Sequence, residues 1–336
     1  MRWLAALTCA GMLLVLVMGA AVTNTGSAEG CGRSWPLCNG QFVPEFTVST
    51  AIEYSHRAVT GLESVLVVAL TVTMLSLWRR QPQVVLLGSL MVGTLLLQAG
   101  LGAGAVLWPQ SPLVLATHFG VSLIAFASTF LSAALVFERT ADRVERKSDD
   151  GRPGAARRDA GLRSFRVLSL GVTAYVLGVV YLGAYVRHAG VSLACTDWPL
   201  CNGQVVPDLS SPAAVVFAHR VAALGAVLLL GWLHYRSRVV GVARRAAAYA
   251  LGLAFLQALS GALVVWTLLG LFSTLLHAAV MGLLFAALAS VVRVALTRPE
   301  SAMAGGRPRA TAASRPDSWP CDGAPTSGVS GRSGVA

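Results

Sequence analysis

The sequence has little charge. Only 12% of its 336 residues are Asp, Glu, Lys or Arg, and 55% are hydrophobic, whereas a soluble globular protein is about 25% charged. This composition excludes an ordinary soluble domain. The apolar runs also lack the period-two alternation of barrel strands and reach about 20 residues or more, so they predict membrane-spanning helices. The net charge of +11 does not indicate nucleic acid binding, because most basic residues fall between the runs and in the tails.

The apolar runs predict an all-α integral membrane protein with eight transmembrane helices. Each run can cross about 30 Å of hydrocarbon as a helix. The runs are Trp3–Val22, Glu53–Trp78, Val84–Leu107, Leu113–Phe137, Phe165–Val186, Ala213–Tyr235, Ala246–Thr267 and Leu271–Leu296. The first run is predicted to be retained rather than cleaved as a signal peptide, because it is longer than a typical signal core.

The distribution of Lys and Arg predicts the orientation. Basic residues are concentrated in alternate connections, after the second, fourth, sixth and eighth runs. Because such residues favour the cytoplasmic side, we expect both termini in the cytoplasm and both cysteine-containing loops outside the cell membrane. The predicted divisions are an N-terminal half at 1–137, a basic cytoplasmic linker at 138–163, a C-terminal half at 164–297 and a disordered cytoplasmic tail at 298–336.

The chain repeats itself. Trp35–Gln41 is identical to Trp198–Gln204, and His56-Arg57 corresponds to His219-Arg220. Further matches are Leu97-Gln98-Ala99 with Leu256-Gln257-Ala258, and His118 with His277. Four spans in each half bring both halves into the membrane from the same side, so the prediction is two four-helix bundles related as a parallel repeat.

Four histidines, His56, His118, His219 and His277, are predicted at one depth, in the second and fourth helices of each half. A single intramembrane histidine is more often a polar packing contact than a ligand. Four in register favour function, since polar groups in hydrocarbon are costly. Two imidazoles facing each other across a bundle suit the axial positions of haem iron. Zinc is the weaker interpretation, because it normally needs three or four protein ligands.

Two cysteine pairs, Cys31/Cys38 and Cys195/Cys201, precede the repeated histidines. Pro before and Asn-Gly after the second cysteine of each pair is turn chemistry that helps the two cysteines to form a disulfide. A structural staple is favoured over a redox-active pair, because the spacings are wider than Cys-x-x-Cys. Arg57 and Arg220 are equally consistent with haem propionate neutralisation and with snorkelling to the interface.

Glu53 breaks the repeat. It is spaced i, i+3 from His56, so we expect it to face the same pocket, whereas the equivalent position in the second half is Val216. Such a carboxylate is suited to accepting a proton or to stabilising or capturing a cationic intermediate. The first half is therefore predicted to hold the chemistry, and the second half a bis-His haem that moves electrons. Glu63 has only a weak claim to a proton path, and His188 and His234 are predicted to be interfacial.

Taken together, these motifs resemble those of the haem A synthase family, in its cysteine-bearing bacterial type. The resemblance covers roughly residues 1–297. It implies an oxidoreductase that converts the C8 methyl of haem O to a formyl group, giving haem A for cytochrome oxidase assembly. It implies substrate haem near His56 and His118, a haem b cofactor held by His219 and His277, and an essential carboxylate at Glu53. It also suggests that the first cysteine pair contributes to activity and that the second is structural.

Two other functions are compatible with parts of the sequence. A non-enzymatic dihaem b-type electron carrier explains the four histidines but not Glu53. A membrane thiol–disulfide oxidoreductase explains the cysteines but not the histidines. The expected partners are haem O and the lipid bilayer, with no nucleic acid. Direct handover from a haem O synthase stays open, as does a homo-oligomer, since Gly100-x-x-x-Gly104 suits packing within or between chains.

Overall fold

The computed structural model describes residues 1–108, 111–141 and 155–297. Within these ranges the chain forms eight long helices and no strand, apart from isolated bridges in two loops. The helices are α1 Arg2–Asn24, α2 Val48–Trp78, α3 Pro82–Leu107, α4 Pro112–Ala141, α5 Ala155–His188, α6 Ala213–Val240, α7 Arg244–Trp266 and α8 Leu271–Thr297. All eight are long and apolar enough to cross a membrane. The predicted class, an all-helical protein with eight spans, is confirmed.

Two helices begin five residues or more before their apolar runs. Helix α2 starts five residues before Glu53, because Thr47 caps it by accepting a hydrogen bond from the backbone N–H of Thr50 at 3.2 Å. Helix α5 begins at Ala155, inside the segment predicted as the basic linker. The rest of that linker, at 142–154, and the predicted disordered tail at 298–336 lie outside the described residues.

The helices pack in sequence order within each half of the chain. In the N-terminal half (α1–α4) each helix contacts the next, and α1 also contacts α4. In the C-terminal half (α5–α8) the same pattern recurs, with α5 against α8. The halves meet where α4 packs on α5 and α8, and where α1 packs on α8. Helices α4 and α8 are consequently the most buried of the eight, and the central core includes Phe126, Phe165 and Leu288.

Polar contacts join the halves at both ends of the helices. At the end that carries the cysteine pairs (the cysteine-loop end), Arg187 donates hydrogen bonds to Asn24 Oδ1 at 2.8 Å and to the carbonyl of Thr23 at 3.2 Å. At the opposite end, Arg293 forms a two-point ion pair with Glu138. These contacts fix α5 against α1 and α8 against α4, which sets the position of the elements that carry the histidines.

Candidate haem-binding and catalytic site

Each cysteine loop closes in the same tight turn. In the first loop, Cys38 and Gln41 exchange two backbone hydrogen bonds of 3.0 Å around Asn39 and Gly40. Both central residues have positive φ, 53° and 78°. This is the conformation of a two-residue hairpin turn that Asn-Gly favours. The second loop repeats it, with φ 54° at Asn202 and 75° at Gly203, so the repeated sequence is also a repeated local structure.

The cysteines of each pair are bonded in the structure. The Cα atoms of Cys31 and Cys38 are 4.4 Å apart, and those of Cys195 and Cys201 are 4.6 Å apart. All four side chains are buried. The turn chemistry therefore brings each pair within bridging distance, as the sequence indicates. The remaining described cysteine, Cys9 in α1, is unpaired.

The first loop is tied to α2 by a buried ion pair. Glu53 is only 3% exposed. Its Oε2 accepts a hydrogen bond of 2.8 Å from the backbone N–H of Cys31, and its Oε1 accepts one of 2.5 Å from Arg57. Arg57 also donates to the carbonyls of Ser34 and Leu37, at 2.8 and 2.9 Å. The carboxylate and the guanidinium thus hold the disulfide loop over the end of the helix.

The spacing of Glu53 suggested that its side chain faces the pocket of His56. In the structure its carboxylate contacts the loop, at Cys31, and Arg57. The reason is that Arg57 stands at i+4 on the same helix face, where an acidic and a basic residue pair readily. A carboxylate in apolar surroundings also needs hydrogen-bond donors. The i, i+3 spacing to His56 places the two residues on neighbouring faces of α2, but the available donors decide where the carboxylate lies.

The second loop uses a different anchor. Val216, at the position of Glu53, is buried among Val186, Cys195 and Cys201. Arg220 keeps the role of Arg57 in part, donating to the carbonyls of Leu200 and Cys195 at 2.5 and 3.4 Å. An apolar contact thus replaces the ion pair, and the carboxylate is specific to the first half.

Asp197 stabilises the second turn from within the loop. Its carboxylate accepts hydrogen bonds from the backbone N–H groups of Gly203 at 2.7 Å and of Asn202 at 2.5 Å. These bonds favour the charged form, and they lower the pKa of Asp197 below its usual value, with the Gly203 bond as the larger cause. In the first loop, Ser34 occupies the equivalent position and accepts from the N–H of Gly40 at 3.2 Å.

Each of the four predicted histidines faces a glycine on the preceding helix. A Cβ placed on that glycine would lie 3.4 Å from His56 at Gly19, 3.7 Å from His118 at Gly102, 2.6 Å from His219 at Gly183 and 3.3 Å from His277 at Gly261. The arrangement is the same in both halves. Sequence reasoning found the histidines but missed the glycines, although the repeat holds a signal for them. Gly102 and Gly261 each follow the matching glutamine by four residues, and Gly19 and Gly183 each precede the first cysteine of their half by 12. Only the packing of the helices shows that these glycines face the histidines.

The histidines are grouped in two pairs. His56 lies close enough to His118, and His219 to His277, for their charges to interact. The Nδ1 atoms of His56, His118 and His219 are buried without a hydrogen-bond partner among the described residues. A buried, unpartnered imidazole nitrogen is costly. Each pair therefore offers nitrogen donors to a group that the protein chain itself does not provide.

The second pair is more firmly oriented than the first. Gln257 Nε2 lies 3.2 and 3.1 Å from the two ring nitrogens of His277, and Ser260 Oγ lies 2.9 Å from its Nδ1. The matching Gln98 instead donates to the carbonyl of His118 at 3.0 Å and to Ser122. The repeated Leu-Gln-Ala motif is thus explained by a glutamine placed beside the fourth-helix histidine of each half.

The residues present fit a haem held by two imidazoles. The first pair supplies two buried, unpartnered nitrogens, at His56 and His118, and the second pair supplies one, at His219. The ring nitrogens of His277 are held by Gln257 and Ser260. Each of the four rings stands against a backbone surface that lacks a Cβ. Within 1–108, 111–141 and 155–297, no group of three or more His, Cys, Asp or Glu side chains is placed to hold a metal ion. Paired imidazoles suit haem iron, which takes its other four ligands from the macrocycle.

His188 lies at the cysteine-loop end of α5, a place that agrees with the prediction of an interfacial residue. It ends α5, and its charge interacts with that of His118. The neighbouring Arg187 is bonded to α1. Sequence reasoning missed this proximity, because it depends on the packing of α4 against α5 across the boundary between the halves.

Fold and site together define a multi-pass helical membrane protein with two histidine pairs among its helices and two disulfide-bonded loops at one end of them. Residues 2–289 match the family model described as cytochrome oxidase assembly protein, COX15-CtaA. The chain belongs to this family. Three similar proteins, each named haem A synthase, come from Symbiobacterium thermophilum, Bacillus cereus and Lysinibacillus sphaericus.

These relatives match most of the chain. The Symbiobacterium protein is 43% identical over 272 residues, which is 79% of this chain and 86% of that protein. The Bacillus protein is 39% identical over 301 residues, 87% of this chain and 92% of that one. The Lysinibacillus protein is 38% identical over 304 residues, which is 87% of this chain and 94% of that protein. The resemblance stated from the sequence motifs is thereby confirmed.

Proposed function

We propose that this protein is an oxidoreductase that converts haem O to haem A for cytochrome oxidase assembly. The proposal depends on one observation: a chain of this family contains two buried histidine pairs, and each of the four rings lies against a glycine. The names of its relatives support the same activity. In the reaction, the C8 methyl of the substrate haem is oxidised stepwise to a formyl group.

The N-terminal half is proposed to bind the substrate. His56 and His118 hold haem O between α2 and α4, and the first disulfide loop covers the same end of α2. Glu53 is proposed to be the catalytic carboxylate, accepting a proton or stabilising or capturing a cationic intermediate. Its ion pair with Arg57 and its bond from Cys31 fix it in position. Through these contacts the first disulfide loop is linked directly to the proposed catalytic carboxylate.

The C-terminal half is proposed to hold haem b through His219 and His277. That haem supplies one-electron transfer when bound. The protein contributes orientation: Gln257 and Ser260 fix the ring of His277. At the position of Glu53 this half has the apolar side chain of Val216. The absence of a carboxylate there supports the proposal that the C-terminal half does not oxidise the methyl group.

The proposed location is the plasma membrane, with both termini in the cytoplasm. The excess of Lys and Arg in the connections after α2, α4 and α6 supports this orientation. The cysteine loops then face the oxidising side, where disulfides persist. Haem O would pass to the first half within the bilayer, from the enzyme that makes it.

The experiment is to express the chain with a source of haem O, extract the pigments and measure formyl-bearing haem by mass. Wild-type protein should yield haem A. Glu53→Gln should lower the yield by on the order of 100-fold, as expected for loss of a catalytic carboxylate, while Glu45→Gln, at an exposed loop position, should not. Unchanged haem A production by Glu53→Gln, at normal haem content, would refute the assignment.

Variants measured in the same experiment also distinguish the proposed function from the two alternatives. A dihaem electron carrier would bind haem in both halves but form no haem A in any variant. A thiol–disulfide oxidoreductase would lose activity when Cys31 and Cys38 become Ser and would not need the histidines. For the haem b site, His219→Ala and His277→Ala should each remove the low-spin spectrum of a bis-His haem.

A further inference from the structure

Glu63 is a buried carboxyl group that the proposed reaction does not use. It lies in α2 and is 3% exposed, and its Oε1 has no hydrogen-bond partner among the described residues. No ion pair with a basic residue was found for it in the described ranges. An unpaired carboxylate is unfavourable inside a membrane, and such groups are usually functional.

The carboxyl group occupies a notch in α1 made by a glycine. A Cβ on Gly11 would lie 2.0 Å from Oε2 of Glu63, so any larger residue would displace it. Two turns further along α1, Gly19 receives His56 in the same way. Glu63 and His56 are seven residues apart in α2, so they share a face and are about 10 Å apart along the axis. Both polar groups therefore enter the same seam between α1 and α2.

The seam is polar on one side of Glu63 and closed on the other. Toward the cysteine-loop end, Thr60 stands between Glu63 and His56 on this face. In the other direction the same face carries Val67, Leu70 and Met74, all completely buried. On α2, the polar residues of this face therefore lead from Glu63 toward His56, whereas its residues in the other direction are apolar.

Few other titratable groups face this carboxyl. Helix α1 contributes Cys9, which interacts electrostatically with Glu63, and Arg2 at its far end. Helix α3 contains no titratable residue. The short turn Ser27–Glu29 packs on α2 and carries only the exposed Glu29. On α2 itself the nearest groups are His56 and the Glu53–Arg57 pair. Apart from Cys9, the ionisable groups nearest to Glu63 along these helices are therefore those of the histidine site.

We propose that Glu63 takes up a proton when the haem between His56 and His118 is reduced and releases it when that haem is oxidised. This rests on the proposed function of the first half. The balance is one electron from an external one-electron donor to the iron and one proton from water to the Glu63 carboxylate, so the net charge of the site does not change. Glu63 lies about 10 Å along α2 from His56, a separation at which two charges inside a protein still interact. Glu63 thus couples proton movement to electron movement at the substrate site.

A purely structural carboxyl would bridge α1 and α2 without changing its protonation. The two roles are separated by a redox titration of the His277→Ala protein loaded with haem O, in which the C-terminal haem is removed. With Glu63 present, the midpoint potential should fall as the pH rises. Glu63→Gln keeps the shape and the hydrogen-bonding capacity of the side chain and should lose this pH dependence, whereas Cys9→Ala should keep it.

Infrared difference spectra of the reduced and oxidised protein give a second readout. The carbonyl band of a protonated carboxylic acid should appear on reduction and shift in D₂O. It should be absent in Glu63→Gln and present in Glu45→Gln. A bound haem whose potential is independent of pH, or a band that survives in Glu63→Gln, overturns the inference. Failure of the N-terminal half to bind haem O would instead overturn the proposed function.

The glycine notch offers a test that leaves Glu63 in place. Gly11→Ala should displace the carboxyl group and alter the frequency of its band and the pH dependence of the potential. Gly61→Ala is the matched control, because no atom lies within 4 Å of a Cβ at that position. Equal effects of the two substitutions would contradict the role assigned to the seam.

Discussion

At the scale of single residues, the site consists of contacts between a ring and a bare backbone. A methyl group would clash with His219 at Gly183 and crowd His277 at Gly261, and it would be in van der Waals contact with His56 at Gly19 and with His118 at Gly102. Glycine is unfavourable in a helix interior by about 1 kcal/mol relative to alanine. Its recurrence opposite every histidine is explained by the close approach, not by helix formation.

Gly183→Ala is expected to disturb the haem b site. The added Cβ would lie 2.6 Å from Cε1 and 3.1 Å from Nε2 of His219, so the ring must move. Visible spectra of the purified protein should show loss of the low-spin signal, with haem b content reduced by about 10-fold or more, equivalent to at least ~1.4 kcal/mol. Gly178→Ala, on the same helix with open space around it, should bind haem b normally. A normal spectrum from Gly183→Ala would argue against the packing described.

Asp197 is expected to make the second cysteine loop acid-labile. Its pKa is lower in the folded loop than in an unfolded chain. The charged carboxylate therefore stabilises the folded loop at pH values above the usual pKa of Asp. This stabilisation is lost as the pH falls through the lowered pKa of Asp197. Hydrogen exchange of the 194–206 peptide, corrected for intrinsic rates, should increase below about pH 4. In Asp197→Ser, which copies the first loop, the acid-dependent increase should be absent. An increase of the same size in this variant would contradict the role of Asp197.

The candidate ligands and reactive residues could be proposed from the sequence, but the contacts that they make could not. The four histidines and the cysteine pairs stand out because they repeat. The bonds from Glu53 to Cys31 and Arg57 do not, since they depend on how the loop folds back on α2. The same is true of Glu63, whose glycine notch lies in another helix. Which of two donors a carboxylate faces is decided by packing, and spacing alone does not encode it.

At the scale of elements, the two cysteine loops are alike in shape and different in anchorage. The first is held by an ion pair, and the second by apolar contact around Val216. A buried ion pair tolerates loss of one partner poorly, because the other charge is left uncompensated. The first loop should therefore respond more strongly than the second to loss of its arginine.

Arg57→Gln should loosen the first loop. The substitution removes donors to Ser34, Leu37 and Glu53, and each lost hydrogen bond to a charged or buried group costs about 1–3 kcal/mol. Hydrogen exchange in the 31–41 segment should rise by about 10-fold or more. Arg220→Gln is the matched change, and it should affect the 195–204 segment less. If each variant exchanged hydrogen in its loop at the wild-type rate, the arginines would not be what holds the loops in place.

The helices themselves were predictable because their apolar runs are long. The ends were less so. Helix α2 gains its first turn from the cap at Thr47, and α5 extends to Ala155 through residues that include Arg157, Arg158 and Arg163. Hydropathy marks the part of a helix inside hydrocarbon, whereas caps and charged residues carry the helix beyond it.

At the scale of the whole molecule, the halves share an interface of four helices, α1, α4, α5 and α8. The apolar core includes buried residues of all four helices, among them Phe126 of α4 and Leu288 of α8. Polar links close it at both ends, through Arg187 with Asn24 and Arg293 with Glu138. The arrangement brings His188, from the second half, near His118 of the first.

The double variant Arg187→Gln, Arg293→Gln should weaken association of the halves. Residues 1–150 and 151–336, expressed together as two chains, should co-purify through the apolar interface. Loss of both links, at about 1 kcal/mol each, should lower recovery of the second chain by on the order of 10-fold. Arg238→Gln, an exposed position at the end of α6, is the control. Undiminished recovery would assign the association to apolar packing alone.

The bond between Arg187 and Asn24 joins residues 163 positions apart. A ribosome completes α1 to α4 long before it reaches Arg187, so the nascent N-terminal half stands in the bilayer without its closing contact. During that interval α1 is not yet held by α5 or α8. Until the second half is inserted, α1 is therefore held in place by α2 and α4 alone among the long helices, and slowing translation between α4 and α5 would lengthen that interval.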